Sequence, residues 1–353
     1  MSVLAVAARR FAGADAVLRA ALGTRYTAAV LRVELGGELA YEAPYGALDA
    51  GVAAQRIDGS TRFDLASLTK IFVTTAALRA VADRRLDLDA PLAHDVVPEW
   101  RGTEHETISA RALLAHVAGM QSGADYRTLL GDDVERFALL RPLVARPGER
   151  VVYSDLGFIA LGVVLSRTHG RALRGVVTST CQALGSRATA YGSHAPQTGV
   201  PATEDDGWRG RLRGVVHDEK AYLMGGVAGH AGLFGTASDV AKLAEAYLGP
   251  ANGRPCGAIP HSLAAEAIVQ AASDPVLRRG LGWALKTTDQ NSCGRRMDAA
   301  TFGHTGFTGT CMWADPRRDL SIVLLTNAVY YGRSDIRALR AAVCDAVVEG
   351  VEQ

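Results

Sequence analysis

Apolar and polar positions divide the chain into a strand-rich start, a helix-rich middle and a strand-rich end. Residues 9–22 have the spacing of a short helix. Residues 26–34 and 38–46 read as two strands joined at Gly36-Gly37, a pair suited to the tight turn of a β-hairpin. A loop at 47–62 leads into Leu68 to Ala82, apolar on nearly every face, which marks a helix buried on most sides. The middle is mostly helical, with Leu113 to Val117 and Phe158 to Arg167 the clearest pieces. Residues 185–215, rich in Gly, Pro, Ser and Arg, read as an extended surface loop. Thr236-Ala237-Ser238-Asp239 has the capping-box pattern ahead of a helix reaching about Leu248. Strand signals return at Leu281 to Thr287, Thr308 to Asp315 and Leu320 to Asn327, and a helix over Ser334 to Val348 closes the chain.

Strands at both ends with helices between predict an α+β fold, a mostly antiparallel sheet flanked by helices, built from both termini, with an inserted mainly helical region. The expected division is a sheet domain from residues 1–85 and 275–353 and a helical domain at 86–274. With 353 residues, 48% hydrophobic and 21% charged, the composition is that of a globular protein. A net charge of +1 and no basic run longer than two residues lack the footprint of a nucleic-acid binder. Five widely spaced cysteines without a C-x-x-C pair predict reduced structural thiols. The charges of the Met1 to Arg10 segment follow its short apolar stretch instead of preceding it, and no segment reaches about 18 uninterrupted apolar residues. A cytoplasmic protein without a membrane partner is expected.

Candidate chemistry starts from lysine usage. Of 38 lysines and arginines only four are lysines, and Lys70 alone has a serine three residues before it, in Ser67-Leu68-Thr69-Lys70. A guanidinium keeps its proton near neutral pH while a desolvated ammonium can lose it, so a lysine in this arginine-rich chain points to proton chemistry. Three apart on a helix, the two residues share a face, and the helix start adds free N–H groups and a positive dipole end. So apolar a helix is expected to depress the Lys70 pKa and let the amine accept the serine proton. The tetrad also arises about once by chance in a chain of this length, and a buried structural serine accounts for it as well.

Two further motifs carry chemistry. Tyr153-Ser154-Asp155, between Pro147-Gly148 and an apolar helix, places a phenol and a carboxylate at a loop-to-helix junction, where a phenol beside a cation can carry a proton. The alternative is a half-buried aromatic with a bonded hydroxyl. Gly303-His304-Thr305-Gly306-Phe307-Thr308-Gly309 lies just before a predicted strand, and its glycines allow a ligand to approach a strand edge. A Gly-rich turn entering a strand is the other reading. His217, Asp218, Glu219 and His230 are ligand-type residues but lack the H-x-x-x-H helical pair, so no metal is expected.

Taken in order, Ser67-Leu68-Thr69-Lys70, Tyr153-Ser154-Asp155 and His304-Thr305-Gly306 resemble the S-x-x-K, Y-[AS]-[ND] and K-T-G elements of the serine β-lactamase and penicillin-binding protein superfamily. The closest likeness is to its class C β-lactamase-like branch, which includes esterases, D-amino-acid peptidases and acyltransferases. Leu86 to Pro91, Leu113 to Met120, Pro147-Gly148 and Gly229 to Phe234 are similar to flanking segments of that family, and the likeness covers residues 25–345.

The resemblance implies a double-displacement acyl transfer. Ser67 is the implied nucleophile, Lys70 and Tyr153 share the base and acid roles, and the backbone N–H groups of Ser67 and Phe307 form the oxyanion hole. Asp155, His304, Thr305, Gly306 and Phe307 make the implied substrate wall, with no cofactor and no metal. Asp155 either contacts substrate or the lysine, or satisfies backbone N–H groups at a helix start. His304 stands where a family lysine meets a substrate carboxylate, and a histidine is only partly charged at neutral pH. The expectation is therefore a cytoplasmic serine hydrolase or acyltransferase acting on an ester or amide in a small-molecule or peptide-like substrate, ahead of a β-lactamase or D,D-peptidase. His217-Asp218-Glu219 and Gly229 to Phe234 resemble a cytoplasmic subgroup that includes muropeptide amidases. A slowly acylated binding or sensor module is the alternative of another class, and the oligomeric state is left open.

Overall fold

In the computed structural model, residues 9–51, 54–122, 133–192, 197–255, 257–272, 278–288 and 291–353 are described; the apolar start of the chain and Cys256 lie outside them. Helix α1 (Ala12–Ala21) leads into strands β1 (Ala28–Leu35) and β2 (Glu38–Gly46), which pair antiparallel. The φ angles of Gly36 and Gly37, 63° and 79°, are both left-handed, as a two-residue turn matched to strand twist demands. Further along come the short strands β3 (Phe63–Asp64), β4 (Ala190–Tyr191), β5 (Ala202–Asp206), β6 (Gly210–Arg213) and β7 (Leu233–Gly235). The chain ends in β8 (Arg278–Arg279), β9 (Ala284–Leu285), β10 (Phe302–Thr305), β11 (Cys311–Asp315) and β12 (Leu320–Thr326).

One sheet takes strands from both ends of the chain in the order β2-β1-β12-β11-β10-β9-β8, antiparallel throughout. Register is fixed by burial on both faces. Leu31, Val33, Ile322 and Leu324 point toward Phe11 and Leu18 at the α1 end and toward Val343 and Val347 of the closing helix α8 (Arg337–Glu352). Their alternates Val30, Val323 and Leu325 face the other way, into the core that holds the remaining long helices. That core unites α2 (Thr69–Ala82), α4 (Asp155–His169), α5 (Leu173–Leu184) and α7 (Ala237–Ala251), with the shorter α3 (Ala110–Leu114) beside them and α6 (Glu219–Leu223) near the site. In α2 every residue from Thr69 to Leu78 is buried, and each large apolar side chain there contributes about 1.5–3 kcal/mol.

Three expectations are corrected. Residues 185–215 do not form an extended surface loop: they supply β4 and the β5–β6 ribbon, where Ala202, Thr203 and Leu212 are buried. The strand expected over Thr308 to Asp315 starts at Cys311, because Gly309, with φ 107° and its N–H donated to Gly306, belongs to a turn. His304 and Thr305 lie inside a strand, β10, instead of before one.

Candidate active site

The turn that carries Ser67 is built by a buried carboxylate. Asp64 ends β3 and accepts the N–H of Ala66 at 2.8 Å and that of His217 at 2.7 Å. Its first bond holds Ala66 at φ 45°, a left-handed conformation that costs an alanine about 1–2 kcal/mol. A single 3-10 turn, Ala66–Leu68, then feeds α2, so half-buried Ser67 opens the helix that carries Lys70 on the same face. The Gly306 turn packs against this segment. Thr308 and Thr310 donate to the carbonyls of Asp64 and Leu65 at 2.8 and 3.2 Å, and buried Arg340 donates to those of Gly306 and Gly309 at 2.6 and 3.3 Å.

Lys70 is fully buried and its Nζ donates to Ser67 Oγ at 3.0 Å, to Asp155 Oδ1 at 2.7 Å and to the His230 carbonyl at 3.4 Å. Three acceptors match the three N–H bonds of an ammonium. The expectation of a depressed Lys70 pKa is therefore wrong. Burial alone would push it down, but the Asp155 carboxylate and Tyr153 outweigh that and hold it above the ordinary lysine value. Tyr153, half-buried just before α4, lies with its ring centroid 4.9 Å from the ammonium.

Of the two readings of Asp155, the helix-cap reading fails, since Ser154 caps α4 by accepting the N–H of Gly157 at 2.9 Å. Asp155 turns inward instead. Its Oδ2 meets Lys220 Nζ at 3.0 Å; Lys220 in turn meets Asp218 Oδ2 at 3.1 Å, and His230 Nε2 meets Asp218 Oδ1 at 2.7 Å. Burial would raise the pKa of both carboxyls, but the lysines and His230 hold each below the usual carboxylate range. Asp155, Asp218 and His230 offer ligand atoms within 4.8 Å of one another, a grouping that could take a metal ion. All four carboxylate oxygens are already bonded, and the Lys220 ammonium occupies the place between the two carboxylates that a cation would need.

The opposite wall is aromatic and uncharged apart from one guanidinium. His116 Nδ1 accepts the N–H of Ser154 at 3.1 Å, so its proton sits on Nε2, and its ring packs on Tyr153 with centroids 4.7 Å apart. His304 Nδ1 faces the Thr305 carbonyl at 2.8 Å, which places its proton there and leaves Nε2 as a buried acceptor without a hydrogen-bond partner among the described residues. Burial, reinforced by the charges of Arg279 and Lys70, keeps both imidazoles far below their ordinary pKa and hence neutral. Buried Arg279 of β8 lies 5.2 Å from the Tyr153 ring centroid. Phe307 is 60% exposed and stacked on His217.

The structure thus gathers Ser67, Lys70, Tyr153, Asp155 and His304 in one place, with Gly306 against the Ser67 turn and Phe307 exposed beside His217. Sequence reading missed Lys220, Asp218 and Arg279 as parts of it. The scarcity of lysine that singled out Lys70 is also the signal that marks Lys220, whereas Arg279 is one arginine among many.

The chain is 31% identical over 325 residues to an Escherichia coli (strain K12) protein named "Putative D-alanyl-D-alanine carboxypeptidase", covering 78% of this chain and 74% of that protein. Among solved structures it superposes on EstCE1, a hydrolase with promiscuous acyltransferase activity, with TM-score 0.78 at 22% identity, covering 97% of this chain and all of that one. A class C β-lactamase from Rhodobacter sphaeroides gives TM-score 0.74 at 20% identity over 97% and 99% of the two chains. The Beta-lactamase family model matches residues 14–345, and on that match and that relative the chain belongs to the β-lactamase family.

Proposed function

We propose that this protein is a serine hydrolase or acyltransferase that cleaves or transfers an ester or amide through an acyl group carried on Ser67. The observation that carries this reading is the 3.0 Å hydrogen bond from a buried Lys70 to a half-buried Ser67 Oγ, with Tyr153 beside the same ammonium. Ser67 Oγ attacks the carbonyl carbon and gives its proton to the Tyr153 oxygen in its phenolate form. Lys70, charged at rest, compensates that phenolate before the transfer and the alkoxide character that develops at Oγ during it. The backbone N–H groups of Ser67 and Phe307 receive the developing oxyanion. The proton then moves to the departing oxygen or nitrogen as the tetrahedral species collapses to acyl-Ser67. Water or an acceptor alcohol or amine reverses these steps.

A second reading, a D,D-carboxypeptidase, is favoured by Arg279. His304 is neutral and cannot meet a substrate carboxylate as a cation, but the guanidinium beside it can. The relative named as a D-alanyl-D-alanine carboxypeptidase points the same way.

The test combines a fluorophosphonate probe read by intact mass with turnover of p-nitrophenyl butyrate and of a D-alanyl-D-alanine-ended peptide. Wild type is expected to be labelled once, and Ser67→Ala to escape labelling and lose turnover by more than about 10³-fold. Equal labelling of both proteins refutes the reading. Release of D-alanine selects the carboxypeptidase; ester turnover alone selects the esterase or acyltransferase.

A further inference from the structure

Lys220 has no part in the motifs or in the steps above, yet it is among the most buried charges in the molecule, with 8% of its side chain exposed. It sits in the first turn of α6, whose cap is Asp218, and its ammonium bridges Asp218 Oδ2 and Asp155 Oδ2. Asp155 is thus held at both oxygens by cations from different elements, Lys70 of α2 on one side and Lys220 on the other. His230 closes the ring, with its imidazole on Asp218 and its carbonyl accepting from Lys70.

A carboxylate bonded through one oxygen alone swings about its Cβ–Cγ bond and draws its partner after it. Clamped through both, it is fixed in plane, and the charge it offers Lys70 is shared. We propose that Lys220 is a positioning residue for the Ser67–Lys70 pair: its ammonium clamps the second oxygen of Asp155 and so sets how tightly that carboxylate holds Lys70 against Ser67. The inference rests on the acyl-transfer reading of Ser67.

The sign of the effect follows from charge. The groups facing Lys70 are Asp155 and Tyr153 at the start of α4, Ser67 on its own turn, and the His230 carbonyl; His116, His304 and Arg279 stand behind Tyr153. Lys220 in turn meets Asp155 and Asp218. Taking away the Lys220 charge leaves Asp155 more anionic toward Lys70, so the protonated form of the catalytic set is favoured and its ionisations move to higher pH. Neutralising Asp218 does the reverse, since Lys220 then gives its whole charge to Asp155.

The experiment measures kcat/KM for p-nitrophenyl butyrate against pH for wild type, Lys220→Met and Asp218→Asn, with Ser67→Ala in parallel. The asparagine retains the oxygen that accepts the N–H of Ala221 at 2.9 Å, so the α6 cap survives in that variant. The limbs of the profile are expected to move up by about one pH unit in Lys220→Met and down by a similar amount in Asp218→Asn. KM is expected to stay within about twofold, and Lys220→Arg to restore the wild-type limbs. A merely structural role lowers stability without shifting the limbs in opposite directions. Limbs that coincide with wild type in Asp218→Asn, or in a folded Lys220→Met, overturn the inference while leaving the Ser67 reading intact. Turnover insensitive to Ser67→Ala overturns both.

Discussion

Gly306→Ala tests whether the turn after β10 sets the position of Ser67. An ideal Cβ at Gly306 falls 2.2 Å from Thr310 Oγ1, 2.7 Å from the Leu65 carbonyl oxygen and 3.2 Å from Ala66 Cβ. The Thr310 hydroxyl is fully buried and donates to that same Leu65 carbonyl, so it can turn away only by giving up a bond worth about 1 kcal/mol. The Leu65 oxygen is backbone, two residues before Ser67, and must retreat by about 0.5–1 Å to restore ordinary contact. Overpacking of this kind costs about 1–3 kcal/mol, so the folded state loses about 2–4 kcal/mol in all. Ser67 moves with Leu65 and Ala66, and a misplacement approaching 1 Å lowers kcat/KM by about tenfold to a hundredfold. Urea unfolding gives the stability, and p-nitrophenyl butyrate hydrolysis per folded molecule gives the rate. Gly303→Ala is the control, since its Cβ meets the Met312 carbonyl at 2.2 Å and the Trp313 ring at 2.4 Å, away from the Ser67 turn. It is expected to lose comparable stability and keep most of its rate. A Gly306→Ala protein with kcat/KM within about twofold of wild type, or equal rate losses in both variants, refutes the reasoning.

Asp64→Ala leaves the N–H groups of Ala66 and His217 buried without their acceptor, at about 1–3 kcal/mol each, and is expected to lower stability in urea by at least about 2 kcal/mol together with the rate. Glu204 is held down at about 2 by the hydrogen bond from His217 and by Arg333, against its burial. A depressed carboxylate stabilises the fold above its unfolded pKa of about 4.3 and loses that contribution as pH falls through the folded value. The stability gap between wild type and Glu204→Gln in urea is therefore expected to be full at pH 6 and to close toward pH 2; a gap independent of pH contradicts it. In NMR titrations His116 and His304 are expected to be neutral at neutral pH, with midpoints well below 6.5, and a midpoint at or above 6.5 for either contradicts the buried, cation-flanked setting.

What could be read from the sequence follows from how local each cause is. The hairpin was legible because Gly36 and Gly37 state their turn in two residues, and α2 because its burial is written on every face. Strand β10 was not: four residues with a glycine among them carry no alternation, and they are strand only because Gly303 and His304 lie opposite Trp313 and Met312. The β5–β6 ribbon hides in the same way within a Gly- and Arg-rich stretch. For the site, the residue types of Ser67, Lys70 and Tyr153 were visible as a pattern. The charge state of Lys70 was not, because it depends on Asp155 and, behind it, on Lys220, which no local pattern joins to it. An apolar helix argued for a neutral amine; a carboxylate from another helix reversed the sign.

That reversal changes how the site divides its labour. Two carboxylates, Asp155 and Asp218, face two ammoniums, Lys70 and Lys220, inside the protein, while His116 and His304 are kept neutral by burial and by the cations around them. Protonating either imidazole would add a further positive charge beside Arg279 and Lys70, so neither is suited to carry the serine proton at neutral pH. A lysine already charged and already donating three hydrogen bonds has no lone pair to offer Ser67 either. The proposed route therefore gives that proton to the oxygen of Tyr153 as a phenolate, which the positive charge of Lys70 beside it compensates. A histidine at position 304 is then no defect in a lysine slot: it offers a neutral acceptor at Nε2, and the positive charge of that wall comes from Arg279 of β8, two strands away in the sheet.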